Sequence, residues 1–84
     1  MIDVRIALRA YMDERGFIHR AIAEKAGMTD MSIWGVFHLR RKLNAGELCA
    51  LCDAMGITMA AFEKSWSEYD TRPEQGGDAD GAGN

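Results

Sequence analysis

The sequence predicts an all-α fold, a compact domain of four to five short helices. Three observations predict it. Apolar residues recur at spacings of three and four along successive segments, and no stretch alternates apolar and polar residues as a strand would. Single glycines at 16, 27 and 56 each follow such a segment, where a helix closes readily on a residue that accepts a left-handed backbone. The run from Ala23 to Ile33 (AEKAGMTDMSI) joins two short helices through one of these glycines. Helices cross closely only where the contact residues are small, as Ala23 and Ala26 are, and Gly27 permits the sharp corner.

The elements follow in order. Residues 2–15 read as a first helix, with Val4, Leu8, Tyr11 and Met12 on one stripe and Gly16 closing it. A second helix covers 18–26, with Ile22, Ala23 and Ala26 inward. Thr29 stands at the N-cap of a third, 30–38, whose inward residues are Ile33, Val36 and Phe37. A basic connection, Leu39-Arg40-Arg41-Lys42-Leu43, leads to a fourth helix that starts at Asn44. Asn44 and Glu47 have the spacing of a capping box. Leu48, Leu51, Cys52 and Met55 form its inward stripe, and Gly56 stops it. Thr58 caps a fifth helix, which runs to about Tyr69 with Met59, Phe62 and Trp66 on one face.

The domain is expected over residues 1–69. Residues 70–84 carry Pro, four Gly and several acids without a large apolar side chain, and are expected to form a disordered acidic tail. Eighty-four residues allow one modest core, so dimerisation would help stability. No apolar run approaches ~18 residues, which speaks against a membrane span. The N-terminal residues lack the apolar block and cleavage site of a signal peptide. A cytoplasmic location is expected, with both cysteines as thiols.

Charge is distributed unevenly. The net charge is −3, yet residues 1–44 hold eight basic and five acidic residues, a balance of +3. Residues 45–84 hold two basic and eight acidic residues, a balance of −6. A polyanion responds to the local field, so the first half is the candidate docking face.

The register of residues 5–62 resembles the lambdoid repressor and Cro-type helix-turn-helix family, also called the Xre family. The residues that carry the resemblance are Leu8-Arg9, Arg15-Gly16-Phe17, Ile22 to Gly27, Ser32-Ile33 and Leu48 to Ile57. The resemblance implies a four- to five-helix domain whose third helix lies in the major groove of double-stranded DNA. It implies a transcriptional regulator, a repressor of phage, prophage or toxin–antitoxin type, acting as a homodimer. Several positions depart from the family's pattern. Ile18 and His19 stand where a Ser or Thr cap and a Gln are usual, and Leu39 and Leu43 stand where a Gly and a Pro are usual. Met12 and Phe37 replace an Arg–Glu pair, so a packed apolar contact is expected between them.

On this register, base reading falls to Asp30, Met31, Ser32 and Gly35, with Trp34 at the margin. No Arg, Asn or Gln is among them to make a bidentate contact to a purine. Asp30 could accept from cytosine N4 and Met31 could touch a thymine methyl. Phosphate contact falls to His19, Arg20, Thr29, Arg40, Arg41 and Lys42, because phosphate contacts position a protein and supply non-specific affinity. Trp34 is expected either to be exposed for binding or to cover the base of the fourth helix. Trp66 and Tyr69 are expected at a dimer interface.

Cys49 and Cys52 form a CxxC, but zinc needs about four ligands and only His19 and His38 could join. Cys52 is therefore read as a small core hydrophobe, with a redox role the minor reading. No catalytic constellation, cofactor or small-molecule substrate is expected. The competing reading is a protein-interaction module on the same fold, with the third and fifth helices as its surfaces.

Overall fold

In the computed structural model, which describes residues 2–71, five helices follow one another with no strand among the described residues. They are α1 (Val4–Glu14), α2 (His19–Lys25), α3 (Asp30–Phe37), α4 (Ala45–Met55) and α5 (Met59–Thr71). Asp70 and Thr71 belong to α5, so the expected tail loses its first two residues to the helix, and the rest of it lies outside the described residues.

Local chemistry sets the helix starts. Asp3 accepts from the Arg5 backbone N–H at 2.8 Å to cap α1. Thr29 accepts from Ser32 N–H at 3.1 Å to cap α3. Asn44 and Glu47 form a full capping box on α4, at 2.7 and 3.2 Å. Thr58 Oγ1 accepts from Ala61 N–H at 3.0 Å at the start of α5. Only α2 starts without such a bond, because Ile18 stands at its N-cap. A polar cap contributes ~1 kcal/mol where it is present.

The ends of α1 to α4 share one device. A backbone N–H reaches back five residues to a helical carbonyl: Phe17 to Met12 at 2.9 Å, Met28 to Ala23 at 2.8 Å, Arg40 to Gly35 at 2.8 Å and Ile57 to Cys52 at 3.0 Å. This closure needs one left-handed residue. Glycine supplies it three times, and after α3 it is Leu39, at φ 59°.

Each helix buries one stripe in a single core. Ala7, Leu8, Tyr11 and Met12 come from α1, Ile22 and Ala23 from α2, and Ile33, Val36 and Phe37 from α3. Leu51, Cys52 and Met55 come from α4, and Phe62 and Tyr69 from α5. Burying one such large apolar side chain contributes ~1.5–3 kcal/mol. α1 packs on α3 and α5, and α2 packs on α3 and α4. α3 is thereby wedged between α1 and α2. Met12 and Phe37, expected to touch, are both buried in this cluster on helices that pack together.

Tyr69 corrects one expectation. It is 1% exposed in the single chain, and its hydroxyl donates to Glu14 Oε1 at 2.8 Å. A thirteen-residue α5 is long enough to carry Tyr69 back over α1, so its side chain is packed in the core of this chain and is not presented on the surface. Trp66 is partly buried on the same side. Its indole N–H donates to the Ile2 carbonyl at 2.8 Å, and its ring lies 6.1 Å from that of Phe62. No single helix among the described residues is long and apolar enough to cross a membrane.

Candidate nucleic-acid interface

The residues expected to meet DNA flank α3, and the structure divides them into two groups. The first lies at the α2 and α3 starts. Arg20 Nε donates to Asp30 Oδ2 at 3.0 Å, across a pair whose side chains are 75% and 56% exposed. His19 Nε2 bonds Asp13 Oδ1 at 2.7 Å, and its ring meets Phe37 edge-on with centroids 4.7 Å apart. Thr29 Oγ1 accepts the capping bond and donates to Ser32 Oγ at 3.0 Å. Every polar side chain here already has a partner within the chain. Asp30 also sits in the first turn of α3, where a negative charge complements the helix dipole.

The second group follows α3. Arg40 and Lys42 are exposed and form no ion pair among the described residues. Arg41 between them is exposed too, but it is engaged. Its Nη2 donates to Glu47 Oε2 at 2.9 Å, and its carbonyl accepts from Arg5 Nη1 at 3.0 Å. Burial opposes ionisation of Glu47, but the bonds from Arg41 and from the Asn44 N–H outweigh it and lower its pKa. Arg5 is itself gripped by both carboxylate oxygens of Asp3, at 2.9 and 2.6 Å. That side-chain bond, and then the Arg5 N–H, pull the Asp3 carboxyl down to about 2. The basic connection is therefore anchored at its middle residue to α1 and α4, with a free cation on each side.

Gly35 corrects a second expectation. It is buried rather than presented for base reading. The tight closure brings the N–H groups of Arg40 and Arg41 onto the Gly35 carbonyl, at 2.8 and 3.3 Å. The Arg41 stem then covers the glycine, and a Cβ there would stand 3.4 Å from its Cγ and Cδ. Ser32 is half-buried and occupied by the cap. Exposed base-reading candidates reduce to Met31, Trp34 and the paired Asp30, with Met31 78% and Trp34 49% exposed.

Trp34 is thus on the surface and not beneath α4. It stacks on His38, with centroids 4.0 Å apart and planes 18° apart. His38 Nδ1 is 2.8 Å from the Trp34 carbonyl, which fixes the ring. The Arg40 guanidinium lies 6.0 Å from the Trp34 ring centre. Arg9 Nη1 reaches the Phe37 carbonyl at 3.4 Å, and Arg9 Nε is 3.8 Å from Asp13. Sequence reasoning missed His38 and Arg9. The four-residue spacing of Trp34 and His38 within one helical run was the signal for the first, and the same spacing of Arg9 and Asp13 was the signal for the second.

A cleft of about 200 Å³ opens here, with Arg9, His19, Arg20, Asp30, Trp34 and Phe37 in its lining. A second depression holds Arg20, Thr29, Asp30 and Met31. Lys42 lies apart from both, in a groove with Ile2, Arg5 and Trp66. The CxxC cysteines separate as well. Cys49 is exposed on α4, while Cys52 is buried, and desolvation followed by the neighbouring Cys49 pushes its thiol up to about 11. A thiol so raised is a poor nucleophile or ligand near neutral pH. No protein-family model, curated protein or solved structure matches the chain.

Proposed function

We propose that this chain is a DNA-binding regulator of helix-turn-helix type, cytoplasmic and acting on double-stranded DNA as a repressor that occupies an operator. The observation that supports this reading most is the pair of free cations, Arg40 and Lys42, directly after α3 in a connection clamped by Arg5 and Glu47. A clamped basic turn presents charge to a phosphate backbone without first having to be ordered. The resemblance in register between α2 and α4 supports the same reading.

The test is anisotropy of a fluorescent mixed-sequence duplex titrated with the protein at several salt concentrations. Affinity that falls linearly on a logarithmic salt scale, with ~0.9 in slope for each phosphate neutralised, is the expected result. No binding at low salt removes the reading. A second reading is favoured by one observation: α3 and its closure expose Met31, Trp34 and Leu39, at 78%, 49% and 47%. Large exposed apolar side chains mark protein-binding surfaces when they adjoin one another. On that reading α3 docks a protein partner, and concentration-dependent sedimentation of the chain without DNA tests whether that partner is a second copy.

A further inference from the structure

We propose that the cleft between α1, α2 and α3 takes up a single unstacked nucleobase of the bound duplex, with Trp34, held by His38, as its stacking wall. The inference rests on the DNA-binding reading and states how that surface selects among DNA sequences. Three observations converge on it.

The first is size. The cleft holds about 200 Å³. That is below the ~300–1,000 Å³ of sites that enclose a whole small molecule. One planar ring system suits it better than a complete ligand. The second is the wall. His38 stacks on one face of Trp34, nearly parallel at 4.0 Å, and so holds the half-exposed indole in place, with Phe37 in the same lining. Every base has a π face, so stacking needs none of the bidentate donors that α3 lacks.

The third is the charged rim. Arg9 and Arg20 line the cleft, and Arg40 stands 6.0 Å from the Trp34 ring. The partner of Arg20 is Asp30, in an exposed pair that opens at little cost. Arg9 is 3.8 Å from Asp13, a loose pairing. A base displaced from a duplex carries its phosphates with it, and these three guanidinium groups are placed to meet them. Selectivity then follows the ease with which DNA gives up a base. Unpaired or mismatched positions and pyrimidine–purine steps are favoured over well-stacked duplex.

The test compares two duplexes that are identical except for one unpaired thymidine at the centre. Affinity for each is measured by anisotropy with the unaltered chain, Trp34→Ala and Trp34→Phe. The bulged duplex is expected to bind about tenfold tighter. Trp34→Ala is expected to lower affinity for the bulged duplex about tenfold more than for the perfect one, so that the preference is lost. Trp34→Phe retains most of the preference and guards against a folding defect in the alanine variant. Equal affinity for the two duplexes overturns the proposal and leaves the DNA-binding reading standing. A preference that survives Trp34→Ala overturns it too. Failure of both duplexes to bind at low salt removes the DNA-binding reading and this inference with it.

Discussion

At the start of α3, Arg20 and Asp30 stand 3.0 Å apart and Thr29 is occupied in its cap, and at the start of α2 His19 is bonded to Asp13. After the end of α3, Arg40 and Lys42 have no ion pair among the described residues, and the residue between them is held by Glu47. One end of the helix satisfies its charges internally and the other keeps two cations free. The same helix is also closed differently at its two ends. A threonine cap suits its start, whereas its finish places Leu39 in the left-handed region that glycine occupies after α1, α2 and α4. Proximity to α3 is therefore a poor guide to which cations remain without a partner. What matters is whether a side chain already has a partner and what it costs to leave it.

That contrast can be broken by substitution. Removing both free cations, Arg40→Ala with Lys42→Ala, is expected to have the largest effect. Duplex affinity falls on the order of tenfold, and the salt slope falls by about 2. Arg41→Ala is the control: it lowers thermal stability, by uncovering Gly35 and releasing Glu47, but changes the slope by less than either neighbour. A slope that drops equally for all three residues would contradict the division drawn here.

Asp30→Asn attacks the other end. On the proposed function, it leaves Arg20 free and removes the carboxylate beside it, so affinity is expected to rise several-fold and the slope by about 1. Stability falls by ~0.3–1 kcal/mol, because the first turn of α3 loses its negative charge. Unchanged binding would mean that Arg20 points away from the duplex whether paired or not.

Leu39→Gly sharpens the comparison of helix ends. A non-glycine left-handed residue costs ~1 kcal/mol, and Leu39 is 47% exposed, so it returns little by burial. Urea unfolding of the variant is expected to show a gain of about 0.5–1 kcal/mol, reduced from the full cost by the greater freedom of glycine in the unfolded chain. A loss of stability instead would identify a packing role for Leu39.

The smallest effect concerns the anchor on α1. The Asp3 carboxyl is pulled down to about 2 in the folded chain, first by its side-chain bond to Arg5. A depressed carboxylate stabilises the fold above its unfolded pKa of ~3.9, and that contribution disappears as pH falls from about 4 to about 2. Because Asp3 is a third exposed, the contribution is under ~1 kcal/mol. Asn caps a helix as well as Asp does. Asp3→Asn is therefore expected to flatten the stability profile across this window in thermal melts, with only a small loss at neutral pH.

The five helices were legible because their signals are local. The caps at Thr29, Asn44 and Thr58 and the glycine closures lie within a few residues of what they bond, as does the cap at Asp3, which the sequence reading did not name, and the apolar spacing placed Leu8, Ile33, Phe37, Leu51 and Phe62 in the core. The candidate site was legible only as a region. Gly35 reads as an exposed helix position until the chain after Leu39 turns back and lays Arg41 across it. Tyr69 reads as surplus to the core until α5 packs against α1 and brings it to Glu14, fifty-five residues away. Arg20 reads as a free cation until α2 and α3 cross and deliver Asp30 to it.

By itself, the sequence determined the all-helical architecture, the helix limits to within about two residues and the asymmetry of charge between the two halves, since each depends on neighbours three to five residues apart or on composition alone. The tertiary structure alone decided which charges remain free. Ion pairs such as Arg20–Asp30 and Arg41–Glu47, and the bond from Arg5 to the Arg41 carbonyl, span six to thirty-six residues and form only when helices cross. Electrostatic and packing forces act over a few ångströms of space, whatever the separation along the chain. A surface that binds a polyanion is defined by what those crossings leave unpaired.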